Sequence, residues 1–400
     1  MRAIRKLTIL LLVLCSYAFS ADQLHYGSDL EWGYGARALG MGRSFVALGN
    51  DASGLFWNPA GVMKLQSMQG MFQMSMLYQS YSTMYGAFAM PGVDDALGFE
   101  FIMFGGSDIE GRDIYNQFTG MVQDSKMAFG ATYSKRIMRD FYMALKGKFY
   151  MRSLGEYGDM AMAGDVSMIY NLSDRFSAGI NLMNVFGMIL GDTNDKLTPQ
   201  AMFGLGYKEK NILFALDARD NFNEWHFGVE YEPVKNIPLR VGVNNDEISF
   251  GGGVKLGIMD ADVAYIMNEL SSKIAFSVNI NFGKSMDDMT KDQVEQAMAD
   301  SQEMLNNDYF YLAKQKLEYV LSFDPSRKEV KVILERLEKA IQFVESSLPQ
   351  ESLTWEKYKK AKKTFNEGKY FEAEKLFREV QLINQNNRFV AYYLDELSLQ

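Results

Sequence analysis

The chain is poor in the residues that most catalytic and metal-binding classes need. Its 400 residues include one cysteine, Cys15, and two histidines, His25 and His226. A disulfide framework and a cysteine-based metal site are therefore excluded. Two isolated histidines supply neither a zinc cluster nor a proton relay, so no cofactor and no enzyme activity are expected. Proline is scarce too, 7 against 34 glycines. Such a chain turns its corners on Gly, Asn and Asp, as sheet-rich proteins do. A basic face is missing as well: the net charge is −9 and the pI about 5.0, which argues against a nucleic-acid partner. Long apolar runs are absent beyond the first 15 residues. The chain is 48% hydrophobic, yet its mean hydropathy is only −0.17, so apolar residues are spread among polar ones rather than massed in membrane-spanning helices.

What is present begins with an export signal. Arg2, Arg5 and Lys6 precede an apolar run from Leu7 to Cys15, and Ala18 and Ser20 have the spacing of a signal-peptidase site. Residues 1–20 read as a signal peptide, cut after Ser20 or Ala21. The run is shorter than the roughly 20 residues a spanning helix needs. Leu14 before Cys15 does not suit a lipoprotein, so the mature chain is expected to carry no thiol. Export without a spanning helix leaves the periplasm, the outer membrane or the medium.

From 69 to 283 the chain repeats one pattern of short alternating segments separated by Gly, Asn, Asp or Lys turns. The last is the cleanest. Ile274, Phe276, Val278, Ile280 and Phe282 fall on one face, with Lys273, Ala275, Ser277, Asn279 and Asn281 on the other. Likewise Trp225, Phe227, Val229 and Tyr231 oppose Glu224, His226, Gly228 and Glu230, and Leu145 and Phe149 oppose Lys146 and Lys148. Counting such segments gives about 14 strands of roughly 9–12 residues, the length that crosses a membrane at a tilt. Connections at Arg139–Asp140, 171–174 and Glu209–Lys210 are tight, whereas 105–124, 154–159 and 186–198 read as long polar loops. Short turns on one side and long loops on the other suit an outer-membrane barrel. A soluble sandwich would not need so many strands. The polar face is ionic, with Glu230, Arg240, Lys255 and Asp262 among its members. The fold class is thus mainly β, an antiparallel outer-membrane β-barrel of about 14 strands in contact with outer-membrane lipid, its polar residues lining a wet lumen.

Residues 21–68 depart from alternation and are dense in glycine. Gly35, Arg37, Gly40, Gly42, Asp51 and Ser53 lead to Trp57, Asn58, Pro59, Ala60 and Gly61. This spaced set resembles the opening of FadL-type outer-membrane transporters, and more closely that of their PorV/PorQ relatives. Arg43 and Ser44 depart from it, where small residues are usual. The resemblance implies a barrel of about fourteen strands with an N-terminal hatch folded into its lumen and the Asn58–Ala60 turn near the wall. It implies two functions: passage of a hydrophobic or amphipathic small molecule past the hatch, or, in the PorV branch, service to protein secretion. A phosphate loop is disfavoured, because Gly40 and Gly42 are not followed by Lys and Ser or Thr.

After Gly283 the period changes. Residues 284–293 read as a polar linker, and 294–400 as helical. Ala313, Leu317 and Pro325 stand at tetratricopeptide spacing, and a second copy carries Gly368, Tyr370, Ala373 and Phe377. The copies lie 60 positions apart, against about 34 in such repeats, with a helix from about Val330 to Ser346 between them. A plain helical bundle is the alternative. An even strand count places this tail in the periplasm, where a periplasmic or envelope protein is the expected partner. The cluster Lys357–Lys363 is a solvated helix face or a site for an acidic partner.

Overall fold

The computed structural model describes residues 30, 32–77, 81–155, 157–191, 197–219, 222–269, 272–342, 353–383 and 388–398. The expected signal peptide with Cys15, and His25, lie outside them. The chain divides into two compact units, Met1–Met289 and Thr290–Gln400.

In the first unit, fourteen strands among the described residues form one closed antiparallel barrel. Each strand pairs with its sequence neighbours. The first, Met68–Met76 (β1), closes the ring on the last, Ser272–Phe282 (β14), with Met68 opposite Phe282. Alternation decides which face looks out. Phe72 is 52% exposed while its neighbour Gln73 is fully buried; Leu145 is 61% exposed and Lys146 3%. Large apolar side chains outside and polar ones inside invert the arrangement of a soluble protein. It is the arrangement of a barrel whose outer belt meets lipid. Both ends of the sheet, and the tight connections, lie at one rim, called here the terminal end; the other is the far end.

Several strands run on past their expected limits. Asp95–Arg112 (β3) and Phe118–Met138 (β4) have 18 and 21 residues and pair through most of the 105–124 segment. Phe141–Leu154 (β5) and Tyr157–Asn171 (β6) meet across a short turn, and Phe176–Leu190 (β7) extends to Leu190. The backbone ladder needs no side-chain alternation, so Gly, Ser and Asp that signal a loop can still pair. The price is irregular register, as between Gly106 and Ile109.

The second unit is a duplication. Helices α1 (Met286–Asn306), α2 (Phe310–Phe323) and α3 (Lys328–Gln342) are followed by α4 (Leu353–Asn366), α5 (Tyr370–Ile383) and α6 (Arg388–Leu397). Most of the expected 284–293 linker is helix, its start capped by Ser285, whose Oγ accepts from Asp288 N and donates to the Asp288 carboxylate. Ala313, Leu317, Val320 and Val330 are fully buried, and so are Ala373, Phe377, Val380 and Val390, each 60 positions on. The repeating unit is therefore three helices rather than two, which accounts for the spacing. Pro325 follows the end of α2, and Tyr370, 43% exposed, opens α5. Asp308 and Gly368 occupy equivalent turns, both with positive φ. Asp308 accepts from the Tyr358 hydroxyl at 2.7 Å and Lys362 at 3.0 Å, tying the first copy to the second. Burial, and then the adjacent Asp308 carboxylate, push the Tyr358 hydroxyl far above its ordinary pKa.

Candidate functional site

Residues 33–65 fill the lumen. Tyr34, Phe45, Trp57 and Asn58 are completely buried. Only short helices form here: Ala36–Gly40, Gly54–Trp57 and a 3-10 segment Pro59–Lys64. An irregular backbone leaves many N–H and C=O groups unpaired, and each must find a partner away from water. The barrel wall provides them. Asp217 accepts from Phe45 N at 2.7 Å and Val46 N at 2.9 Å. Ser277, Ser249 and Ser167 accept from Ala36 N, Gly42 N and Ala60 N, and Gln73 from Gly35 N. Asn181 donates to Trp57 O at 3.0 Å and Lys146 to Leu55 O at 2.9 Å. This corrects one expectation. These inward polar residues do not line a wet channel; they complete the hydrogen bonding of the hatch.

The hatch motif supplies the other half of these contacts. Asn58 Nδ2 donates to Val46 O at 2.8 Å and, across to β6, Met168 O at 2.9 Å, while its Oδ1 accepts from Ala60 N at 3.2 Å. Pro59, at the start of the 3-10 segment, has its carbonyl bonded by Ser134. Trp57 Nε1 donates to Tyr34 O at 2.6 Å, and Tyr34 stacks on the wall residue Tyr85, 4.8 Å between rings. Asp51 accepts from Ser53 N at 2.9 Å, closing a local turn. A side chain at Gly61 would lie 2.3 Å from Gly49 O. Gly42 has φ +66°, a conformation that favours glycine.

Several wall glycines were not singled out as site residues by the sequence, and they decide how closely the hatch fits. A Cβ on Gly179 would stand 2.3 Å from Val46 O, one on Gly228 2.3 Å from Met41 O, and one on Gly242 1.9 Å from Gly42 N. Gly179 pairs with Gly204 across strands, and Gly228 with Gly242. The available signal was glycine at inward positions of adjacent strands, where a side chain would ordinarily pack.

At the terminal end the hatch is held by charge. Arg37 makes a two-pronged bond to Glu230, at 2.8 and 3.0 Å, and an ion pair to Asp51 at 3.3 Å. Glu230 also pairs with Arg240 at 2.6 Å, and Arg240 with Asp262 at 2.6 Å. Burial opposes the Arg37 charge, but Glu230 and Asp51 outweigh it and hold the guanidinium pKa above its usual value. The structure thus joins Glu230, Arg240 and Asp262 in one chain. Lys255 stands apart, half-exposed and paired with Glu232 at 2.9 Å.

Among the described residues no cluster of three or more metal-ligating side chains occurs. No family model and no curated protein matches the sequence. Solved structures do. The Pseudomonas putida toluene transporter TodX superposes with a TM-score of 0.50 at 11% identity, over 62% of this chain and 97% of its own. The TodX deltaS2S3 mutant, a monoaromatic hydrocarbon channel, gives 0.51 at 11% over 65% and 100%. The Ralstonia pickettii toluene transporter TbuX gives 0.50 at 10% over 63% and 99%. The barrel has a FadL-like fold.

In this FadL-like barrel the terminal end opens on a cavity of about 440 Å³ lined by Arg37, Asp51, Lys208, Glu230, Asp260 and other polar residues. Lys64 of the hatch lines a neighbouring cavity and donates to Ala47 O at 3.2 Å. Burial, then the nearby charges of Arg37 and Lys208, lower its pKa to about 8. A lysine near 10.4 when unfolded and near 8 when folded penalises the folded state below pH 8. That penalty fades as pH rises through 8 and is gone above the unfolded value. The barrel should therefore gain about 3 kcal/mol of stability from Lys64 between pH 7 and 10.5. Lys64→Met should remove this component, read as a flatter pH dependence of the urea midpoint; equal slopes for both proteins would refute it.

Proposed function

We propose that the chain is an outer-membrane barrel of PorV/FadL type that acts in envelope transport or protein secretion, with residues 290–400 as its periplasmic partner-binding tail. The observation that carries this reading is the hatch. It is stitched to the wall through backbone groups, and inward polar side chains such as Asp217 and Asn181 are engaged in holding it. A barrel so filled is suited to holding a partner or cargo more than to free diffusion of solutes. The even strand count supports one side for hatch entry and tail, and the expected export signal supports the periplasm as that side. The tandem three-helix units supply the protein-binding surface.

A second reading is a FadL-like channel for hydrophobic or amphipathic small molecules. It is favoured by the neighbours named as toluene transporters and by the aromatic cluster of Tyr34, Phe56, Trp57 and Tyr85 within the lumen.

One experiment separates the two. The full chain and a chain ended at Met289 are expressed in the outer membrane, verified by heat-modifiable migration, and used to capture envelope proteins. The secretion reading expects an envelope protein retained by the full chain alone; identical capture by both would remove it. Proteoliposomes that admit toluene faster than empty vesicles would instead establish the channel.

A further inference from the structure

Most inward cations of the first unit are matched by a carboxylate. Lys146 pairs with Glu100, Lys148 with Asp165 at 2.8 Å and Lys273 with Glu247 at 2.8 Å. In the hatch, Arg37 and Arg43 are matched by Glu230 and Glu247. Lys64 is not. Its ammonium donates to the Ala47 carbonyl, and no carboxylate pairs with it among the described residues.

Lys208 is a second exception. It lies on Gln200–Glu209 (β8), two positions beyond Gly206, on the face that Gly204 and Gly206 turn to Ala47 and Leu48 of the hatch. Its side chain has no hydrogen bond or ion pair among the described residues. Both lysines line the same cavity, of about 300 Å³, at the terminal end. The charges that act on Lys64 are Arg37 and Lys208, both cations. Water in the cavity solvates the ammonium groups but brings no charge to offset their repulsion.

The rest of the wall suits an oxygen-rich anion. Ser173 Oγ accepts from Arg175 N at 3.3 Å and Phe176 N at 3.1 Å, so its lone pairs are taken and its proton is left to donate. Asp140, Asp174 and Arg175 line the cavity as well. Asp140 pairs with Arg139 at 3.5 Å and Arg175 with Glu209 at 2.7 Å; neither aspartate is within ion-pair distance of the two lysines. Two ammonium groups match the roughly −1.5 to −2 charge of a phosphate monoester near pH 7. Its several oxygens can meet both lysines and the serine at once. Leu172 and Phe176, 58% and 53% exposed, give the cavity an apolar margin. At roughly 30 Å³ per water the space equals about ten waters, the scale of a phosphate with a small group attached.

We propose that this terminal-end pocket binds a phosphate group between Lys64 and Lys208, with Ser173 as a further donor. A phospholipid headgroup and free phosphate share that chemistry, and the apolar margin favours the lipid. The proposal rests on neither transport reading, since the pocket can be filled whether the barrel conducts or holds a partner.

The test uses the full chain folded in an amine-oxide detergent in a low-salt, phosphate-free buffer at pH 7. Inorganic phosphate, dihexanoyl phosphatidic acid, dihexanoyl glycerol, acetate and chloride are each titrated by calorimetry. Phosphate or phosphatidic acid should bind saturably, and the other three should not. Phosphatidic acid at least tenfold tighter than phosphate assigns the lipid source; a smaller difference assigns free phosphate. Lys64→Met and Lys208→Met should each weaken binding at least tenfold with heat-modifiable migration unchanged, whereas Lys64→Arg should retain it. Lys255→Met removes a cation of the same end that is already paired with Glu232, and should leave affinity within twofold. One readout needs no variant. Lys64 loses its charge as pH rises through about 8, so wild-type affinity should fall about tenfold between pH 7 and 9.5. Absence of saturable binding by phosphate and phosphatidic acid alike overturns the proposal. So does affinity unchanged at pH 9.5, binding that survives either methionine substitution, or equally tight binding of acetate, chloride or the glyceride.

Discussion

Gly242→Val is expected to unseat the hatch. A Cβ there would stand 1.9 Å from Gly42 N and 2.3 Å from the Met41 carbonyl carbon. Neither atom can retreat cheaply, because Gly42 N donates to Ser249 and Met41 O accepts from Ser44. Overpacking an interior costs about 1–3 kcal/mol when side chains can yield. Here backbone meets backbone, so at least about 3 kcal/mol is expected, and the hatch is the part free to leave. Valine is a good strand residue, so the loss cannot come from strand propensity. Gly86→Val is the control: nothing lies within 4 Å of a Cβ at Gly86, and it should shift stability by no more than about 0.5 kcal/mol. The readouts are the urea midpoint and protease cleavage within 33–65. A Gly242→Val protein with the wild-type midpoint and a protected hatch would show that the close fit is not what retains it.

That prediction depends on a feature the sequence hid. Strand alternation was legible because each apolar residue on the outer face is paired with a polar neighbour; Phe276 and Ser277 are 51% and 2% exposed. Strand number and closure followed from it. Alternation reports which way a side chain points, but not what it meets. Ser277 reads as a lumen-facing polar group, and nothing in a period of two distinguishes water from a hatch amide as its partner. Wall glycines are quieter still. Gly228 was legible as inward, yet glycine inside a strand reads as weakness unless its cross-strand partner, here Gly242, is known to be glycine too. In the tail, the core positions Ala313 and Ala373 were legible from helical spacing. The third helix of each copy was not assigned to the repeat, because Val330 and Val390 become equivalent only when the 60-residue offset is taken as the period.

Asn58→Ala should cost more than any other single side-chain truncation in the hatch. The side chain is fully buried and serves four backbone groups: Val46 O in the hatch, Met168 O and Ile180 O on the wall, and Ala60 N at the 3-10 turn. Ala60 N keeps Ser167 as a partner, but the two carbonyls bonded within 3 Å lose theirs at about 1–3 kcal/mol each, so a loss of about 2–6 kcal/mol is expected. A cavity also forms, and the truncation alone does not separate the two causes. Asn58→Asp does. It preserves shape and the acceptor for Ala60 N, but sets a carboxylate oxygen against the carbonyls of Val46 and Met168. If hydrogen bonding holds the turn, Asp should be at least as damaging as Ala near neutral pH; if shape holds it, Asp should be close to wild type. The same comparison bears on how such a hatch opens. A segment bound to the wall through one side chain's donors to the Met168 and Ile180 carbonyls cannot slide by a fraction of an ångström and keep them. It either stays seated or gives up those bonds together, so displacement of the hatch, measured by protease access, should be two-state in wild type and begin at lower urea in both variants.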